Sequence, residues 1–294
     1  MRIVISGGTG YVGARLTSAL MAAGHEVAVI SRSSGVTEAG PARILYEGES
    51  QGLARDLLAW RPDYAVHLAA DVRKGHSPAD VDALVASNVT FPMHFVNACI
   101  EAKVKRFVNI STFSTFSRPD EYSPQTFYAA TKRATEDLLT FFHQAELLEV
   151  CSLCFYDVYG PGQAHQRFLP ALIRSIQSGE AMTMSKGEQE ICFLHVDDAV
   201  EAVRTALFSD SAWSDSDSNI FTVYGDEVLI LRDVPGIVAQ AAGLALPEVM
   251  PTLPYRPREI MRFAPPYDRL PGWKPNIHFR TGVAAILQGQ STLA

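Results

Sequence analysis

The chain opens Met1-Arg2-Ile3-Val4-Ile5-Ser6 and runs at once into Gly7-Gly8-Thr9-Gly10-Tyr11-Val12-Gly13. A short β-prone run, then spaced glycines, then a helix-periodic stretch constrains the fold more than any other feature. Glycines at Gly7, Gly10 and Gly13 permit a tight turn, close approach of a ligand to the backbone, and close helix-to-strand packing. The first N–H groups of the following helix, near Tyr11 and Val12, have no intrahelical partners, and such donors suit phosphate oxygens. The strand–loop–helix context therefore predicts a site for the pyrophosphate of a dinucleotide.

Hydrophobic periodicity extends this unit into alternating strands and helices. Strands are expected over residues 2–6, 26–31, 42–46, 64–68, 106–110, 150–155 and 220–224. Helices are expected over 11–23, stopped by Gly24, and over 51–60, ending before Pro62. A long helix over 79–102 should be bent or interrupted by Pro92. Further helices are expected over 127–147, 167–178 (with Gly179 as its stop) and 197–208. Residues 209–219 read as a polar surface loop and 247–275 as loop with short elements. The expected class is α/β: a Rossmann-like doubly wound parallel sheet with a smaller C-terminal substrate-binding lobe. Residues 1–160, with 195–225 returning to them, form the dinucleotide-binding part; residues 161–194 and 226–294 form the other lobe.

Composition narrows the function classes. The 294 residues carry a net charge of -7, which disfavours nucleic acid and anionic membrane as partners. No apolar run approaches the ~18 residues of a membrane span, and the N-terminus has too short an apolar run for a leader, so a cytoplasmic location is the default. Cys151 and Cys154 form a CxxC, but a strand places residues three apart on opposite faces. No second pair completes four metal ligands, so buried thiols are expected and no metal.

Tyr128 and Lys132 stand one helical turn apart, on one face of the helix over 127–147. A nearby ammonium favours the phenolate, so the pair predicts a proton donor and acceptor usable near neutral pH. Beside a dinucleotide, that is the equipment for interconverting an alcohol and a carbonyl. Where the second strand ends, Ser31-Arg32-Ser33 stands in place of the acid that accepts from ribose hydroxyls in NAD sites. A guanidinium and hydroxyls suit a 2′-phosphate, so NADP(H) is expected in preference to NAD(H).

With these residues in view, the chain resembles the extended short-chain dehydrogenase/reductases, the NAD-dependent epimerase/dehydratase family. The shared motifs are the glycine loop, His67-Leu68-Ala69-Ala70, Asn88-Val89, Ser111-Thr112, Tyr128/Lys132, Tyr159-Gly160-Pro161-Gly162 and His195-Val196-Asp197-Asp198. The resemblance implies that Leu68, Ala69 and Ala70 line the cofactor and that Glu49 meets its adenine. It implies that Thr112 hydrogen-bonds the reacting oxygen, Tyr128 is the acid/base, and Lys132 lowers the phenol's pKa and holds the nicotinamide ribose. Ser111 lies at the nicotinamide end, Asn88 supports cofactor and site backbone, and Tyr156 and Val158 flank the nicotinamide.

The departures narrow the chemistry. Thr112 is followed by Phe113-Ser114 rather than the Asp-Glu of the dehydratases, and Ser114 stands where fucose-type epimerase-reductases place a Cys. Both 4,6-dehydration and C3/C5 epimerisation are thereby disfavoured; His165 is a loop residue that could act as a local acid. Ile191 and Cys192 occupy the place of an Arg-Asp that meets a nucleotide diphosphate, and Cys154 and Asp157 that of an Arg and an Asn. Asp157 would repel a diphosphate unless Arg167, Arg174, Arg256 or Arg258 compensates.

The resemblance therefore implies reduction of a ketone, with a nucleotide-linked 4-keto-(deoxy)sugar the leading substrate and Ser114, Asp157, Arg167, Arg256 and Arg258 lining its site. An NAD-dependent 4-epimerase, a reductase of a non-sugar carbonyl, and a non-catalytic NADP-binding protein stay open. By analogy the chain pairs as a homodimer through the helices near residues 83–102 and 127–147, the second of which carries Leu138, Leu139, Phe141 and Phe142.

Overall fold

The computed structural model describes residues 1–32, 40–118, 121–163, 167–213 and 219–289. Ser33 and His165 fall outside these residues. β1 (Arg2–Ser6) leads into α1 (Tyr11–Ala22), followed by β2 (Glu26–Ser31), β3 (Ala42–Leu45), α2 (Ser50–Trp60) and β4 (Tyr64–His67). Next come α3 (Pro78–Val85), a π-helical turn (Ala86–Thr90), α4 (Phe91–Glu101), β5 (Arg106–Thr112), α5 (Phe127–Gln144) and β6 (Glu149–Phe155). The second half contains β7 (Asp157–Tyr159), α6 (Phe168–Ser178), β8 (Met182–Thr183), β9 (Glu190–His195), α7 (Val196–Phe208), β10 (Asn219–Val223) and β11 (Val228–Ile230). It closes with α8 (Val234–Ala242), β12 (Val249–Met250) and α9 (Phe279–Leu287).

Seven strands form one sheet in the order β10-β6-β5-β4-β1-β2-β3. Every pairing in it is parallel. The order reverses beside β1, so a crevice opens at the carboxyl ends of β1 and β4, where ligands bind in such sheets. The alternation within β1 assigns the two layers. Ile3 and Ile5 pack with Leu16, Leu20, Val200 and Val203 of α1 and α7. Val4, between them, packs with Leu53, Leu57, Phe95 and Leu139 of α2, α4 and α5. A third apolar cluster joins Leu169, Leu172, Phe193, Val234, Val238 and Phe279 from α6, β9, α8 and α9. It surrounds a smaller sheet ordered β11-β9-β7.

Pro92 does interrupt the long helix, and the adjustment is local. Pro92 lacks the N–H that a continuous α-helix would use. The turn before it widens to a π-helix, and Pro92 then sits in the first turn of α4, where no such donor is needed. Taken as one stretch, Pro78–Glu101 is long and apolar enough to satisfy the length and composition of a membrane span. That corrects the expectation that no run comes close. The apolarity has a different use here: Phe91, Phe95, Val96, Ala98 and Cys99 are core side chains of the sheet's second layer. The CxxC divides as expected for a strand. Cys151 packs in the α1/α7 layer, whereas Cys154 neighbours Glu136 of α5 on the other face, and both are buried free thiols.

Candidate active site

The glycine loop is shaped for an outside group by its own crowding. Gly7 has a φ of 73°, and a Cβ there would lie 2.6 Å from the Ala69 backbone nitrogen. A Cβ on Gly13 would lie 2.1 Å from the Gly7 carbonyl oxygen. The Gly10 N–H closes the turn on Gly7 O at 2.9 Å. No side chain caps α1, so the N–H groups of Tyr11, Val12 and Gly13 face outward at the positive end of the helix. Half-buried Leu68, Ala69 and Ala70 form the opposite wall. This cradle suits a dinucleotide pyrophosphate.

The other groups expected at a cofactor are spread along the same sheet edge. Ser31 ends β2 and Arg32 follows it, exposed. Glu49 is exposed at the start of α2 and makes no side-chain cap there. Val158 is half-buried on β7. Asn88 is fully buried on the π-turn and clamps the loop after β4. Its Oδ1 accepts from Asp71 N at 2.8 Å, and its Nδ2 donates to Asp71 O at 2.9 Å and Thr131 Oγ1 at 3.1 Å. Asn88 thus ties that loop to α5 between Tyr128 and Lys132.

Thr112 ends β5, beside the start of α5. Its hydroxyl lies 2.9 Å from Ser114 Oγ and stands near enough to the Tyr128 phenol to favour its ionised form. Phe113, in the place of the dehydratase acid, stacks on Tyr156 with ring centroids 4.5 Å apart and 13° between planes. Tyr156 in turn packs against Phe263 at 4.9 Å. The wall beyond Thr112 is therefore aromatic, and it holds no acid in the dehydratase position.

The charge states depart from the expectation. Burial pushes the Tyr128 phenol up to about 12, opposed by the Arg167 guanidinium and by the nearby Thr112 hydroxyl. Lys132 is not among the charges acting on the phenol in the chain by itself. The lysine is 2% exposed, and burial brings it down to about 8, opposed by Glu136. The two residues do stand one turn apart on α5, but the phenol is raised rather than lowered. Desolvation is the largest effect on each group.

The expected compensation of Asp157 is present. Arg167 Nη1 lies 3.2 Å from Asp157 Oδ1. Burial raises the Asp157 carboxyl, and Arg167, Lys74 and Arg256 all lower it. Lys74 went unnoticed in the sequence: it sits four residues past the His67–Ala70 motif in a loop with no periodic signal. Arg256 joins this group, whereas Arg258 is exposed on a turn with φ 60° and Arg174 is exposed on α6.

The His195–Asp198 motif acts as a clasp. His195 Nδ1 accepts from Asp197 N at 3.2 Å, capping α7. Arg15 Nη1 reaches Asp197 Oδ1 at 3.2 Å, and Arg15 Nη2 reaches Pro161 O at 2.7 Å. Asp198 accepts from Asn276 N and Ile277 N, each at 3.0 Å. A separate groove of about 600 Å³, lined by Tyr64, Arg106, His143 and Glu149, lies at the amino ends of the strands, away from these groups.

The profile of the NAD dependent epimerase/dehydratase family matches residues 3–220. The chain belongs to that family. It is an enzyme of the extended short-chain dehydrogenase/reductase type. It is 25% identical to a CDP-abequose synthase of Yersinia pseudotuberculosis, over 76% of this chain and 79% of that one. It is also 25% identical to a dTDP-glucose 4,6-dehydratase of Streptomyces antibioticus, over 98% of this chain and 91% of that one. The crystal structure of the UDP-glucose 4-epimerase of Thermus thermophilus in complex with NAD superposes with a TM-score of 0.80 at 26% identity, covering 98% of each chain.

Proposed function

We propose that this family member is an NADP(H)-dependent oxidoreductase that reduces a ketone, with a nucleotide-linked 4-keto-(deoxy)sugar as substrate. The observation that carries the reading is Thr112 at the end of β5 next to Tyr128, with Lys132 one turn along α5 and Phe113 and Ser114 in place of an elimination pair. When bound, the nicotinamide supplies the hydride. Gly7, Gly10, Tyr11, Val12 and Gly13 would hold the pyrophosphate, and Leu68, Ala69 and Ala70 would line the adjoining ribose. Arg32 and Ser31 would meet a 2′-phosphate. Thr112 donates a hydrogen bond to the substrate oxygen, Tyr128 gives it a proton, and Lys132 supports the phenol and the ribose beside it. Lys74, Arg167 and Arg256 offset Asp157 and supply the positive charge that a diphosphate needs.

Residues 1–160 with 195–225 would bind the cofactor, and residues 161–194 with 226–294 the substrate. The division is supported by the separate apolar cluster around the β11-β9-β7 sheet. A cytoplasmic homodimer fits, with Leu138 and Phe141, 41% and 60% exposed on α5, as contact residues.

A panel of UDP-, TDP-, GDP- and CDP-linked keto-sugars with NADPH and NADH tests the reading. Tyr128→Phe should retain cofactor binding and lose about 10²–10⁴-fold in turnover. Full activity in that variant refutes the assignment. An NAD-dependent 4-epimerase is the second reading, favoured by the likeness to the NAD-bound UDP-glucose 4-epimerase. Tightly held NAD in the purified protein, with interconversion of UDP-sugars, would select it.

A further inference from the structure

One buried ionisable side chain is not used by the reaction outlined above. Glu136 follows Lys132 by one turn, as Lys132 follows Tyr128, so the three form a ladder along one face of α5. It is 1% exposed. Neither carboxylate oxygen has a hydrogen-bond partner among the described residues, and the buried Ser111 hydroxyl at the end of β5 has none either. Burial raises the Glu136 carboxyl above its ordinary range, while Ser111, which approaches without hydrogen-bond geometry, Arg133 and Lys132 each favour its anion. A carboxylate in such a place is costly unless its charge is answered.

The surroundings identify what answers it. On α5, Arg133 Nη1 stands 3.6 Å from Glu136 Oε2. That guanidinium is shared, since its Nη2 lies 2.9 Å from Asp137 Oδ1 and its Nη1 donates to the Tyr267 hydroxyl. From β4, His67 is kept neutral by burial and by Lys132. From β6, the Cys154 thiol is kept neutral by burial and by Glu136. The Tyr267 phenol is also pushed up by burial and by Glu136. The other cation is Lys132, buried one turn back on the same face of α5 and outside direct ion-pair contact, where it and the Glu136 carboxylate favour each other's charge.

We propose that Glu136 is a positioning residue: an ionised, buried counter-charge, one turn from Lys132 on the same face of α5, that keeps Lys132 an ammonium. The proposal rests on the reading of Lys132 as support for the phenol. It adds a third member to the Tyr128/Lys132 pair, one that touches neither substrate nor cofactor and acts through the lysine alone.

The test follows the Lys132 signal by NMR of the full chain labelled at lysine Cε, assigned by its loss in Lys132→Met and recorded with and without added NAD⁺. Glu136→Gln keeps shape and removes charge; it should lower the Lys132 titration midpoint by about one pH unit or more. Glu136→Asp should restore most of that midpoint, a rescue that a purely space-filling role does not predict. An unchanged midpoint in folded Glu136→Gln overturns the proposal. Should the Gln variant fail to fold, the carboxyl carbon of Glu136 in the unmodified protein decides. An ionised signal at neutral pH supports the proposal and a protonated one overturns it. Neither measurement uses a sugar, so a wrong substrate class leaves both outcomes intact.

Discussion

The glycine cradle and the proposed substrate mouth are built from opposite materials. At the cradle the chain offers backbone: N–H groups of a helix start, a turn closed by Gly10 on Gly7, and walls too close for any Cβ. At the mouth it offers exposed charged side chains on loops, with Lys74, Arg167 and Arg256 gathered about Asp157. Backbone geometry is rigid and indifferent to salt. Long side chains in water are adjustable and screened.

The sharpest way to break this contrast is Gly13→Ala. Its Cβ would meet the Gly7 carbonyl at 2.1 Å, so the turn must open. Cofactor binding should be lost, with about 3 kcal/mol or more of stability, read by calorimetry and thermal melts. Normal cofactor affinity would show that the cradle is softer than its geometry implies.

Lys132, between the two regions, should show itself in the pH dependence of stability. Its folded pKa is depressed to about 8 by burial. Between that value and the ordinary lysine range near ~10.4 the unfolded chain binds more protons, so stability should rise with pH. The destabilisation is fully present below about pH 8, amounts to roughly 3 kcal/mol, and is relieved toward pH 10. Denaturant titrations at pH 8 and 10 should reveal the rise in the natural protein and not in Lys132→Met. If the phenol needs an ammonium beneath it, turnover falls over the same range.

Asn88→Ala removes three hydrogen bonds linking the loop after β4 to α5. The expected cost is about 1–3 kcal/mol, with reduced turnover, because the alignment of both walls depends on that clamp. Smallest should be Lys74→Ala and Arg256→Ala. Each should weaken binding of a nucleotide diphosphate sugar by a few-fold at low salt, with the difference fading at high salt. Titrations of UDP-glucose at two ionic strengths measure it. A large, salt-independent loss would mean that the mouth is as preorganised as the cradle.

What was readable in advance follows the same division. Each strand of the main sheet and the helix carrying Tyr128 could be placed within a few residues, because burial on one or both faces imprints a period on the sequence. The interruption at Pro92 was readable from its missing donor, although the π-turn that absorbs it was not. Lys74 was missed because a loop cation has no periodicity. Glu136 was missed because a glutamate on an amphipathic helix ordinarily faces water, and only packing against β5 and β6 buries it. The membrane-like apolarity of Pro78–Glu101 has this origin only in its second part, where Phe91, Phe95, Val96, Ala98 and Cys99 pack into the sheet's second layer.

The linear chain by itself determined the glycine loop after a strand, the one-turn spacing of Tyr128, Lys132 and Glu136, and the absence of an elimination acid after Thr112. These are local, set by rise per residue and by which side chains are present. Tertiary structure alone decided the charge each group carries and its company. It buried Lys132 and half-buried Tyr128, lowering the one and raising the other. It also gathered three cations around Asp157 from places far apart in the chain. Desolvation and Coulomb energy depend on neighbours in space, and no spacing along a sequence specifies those.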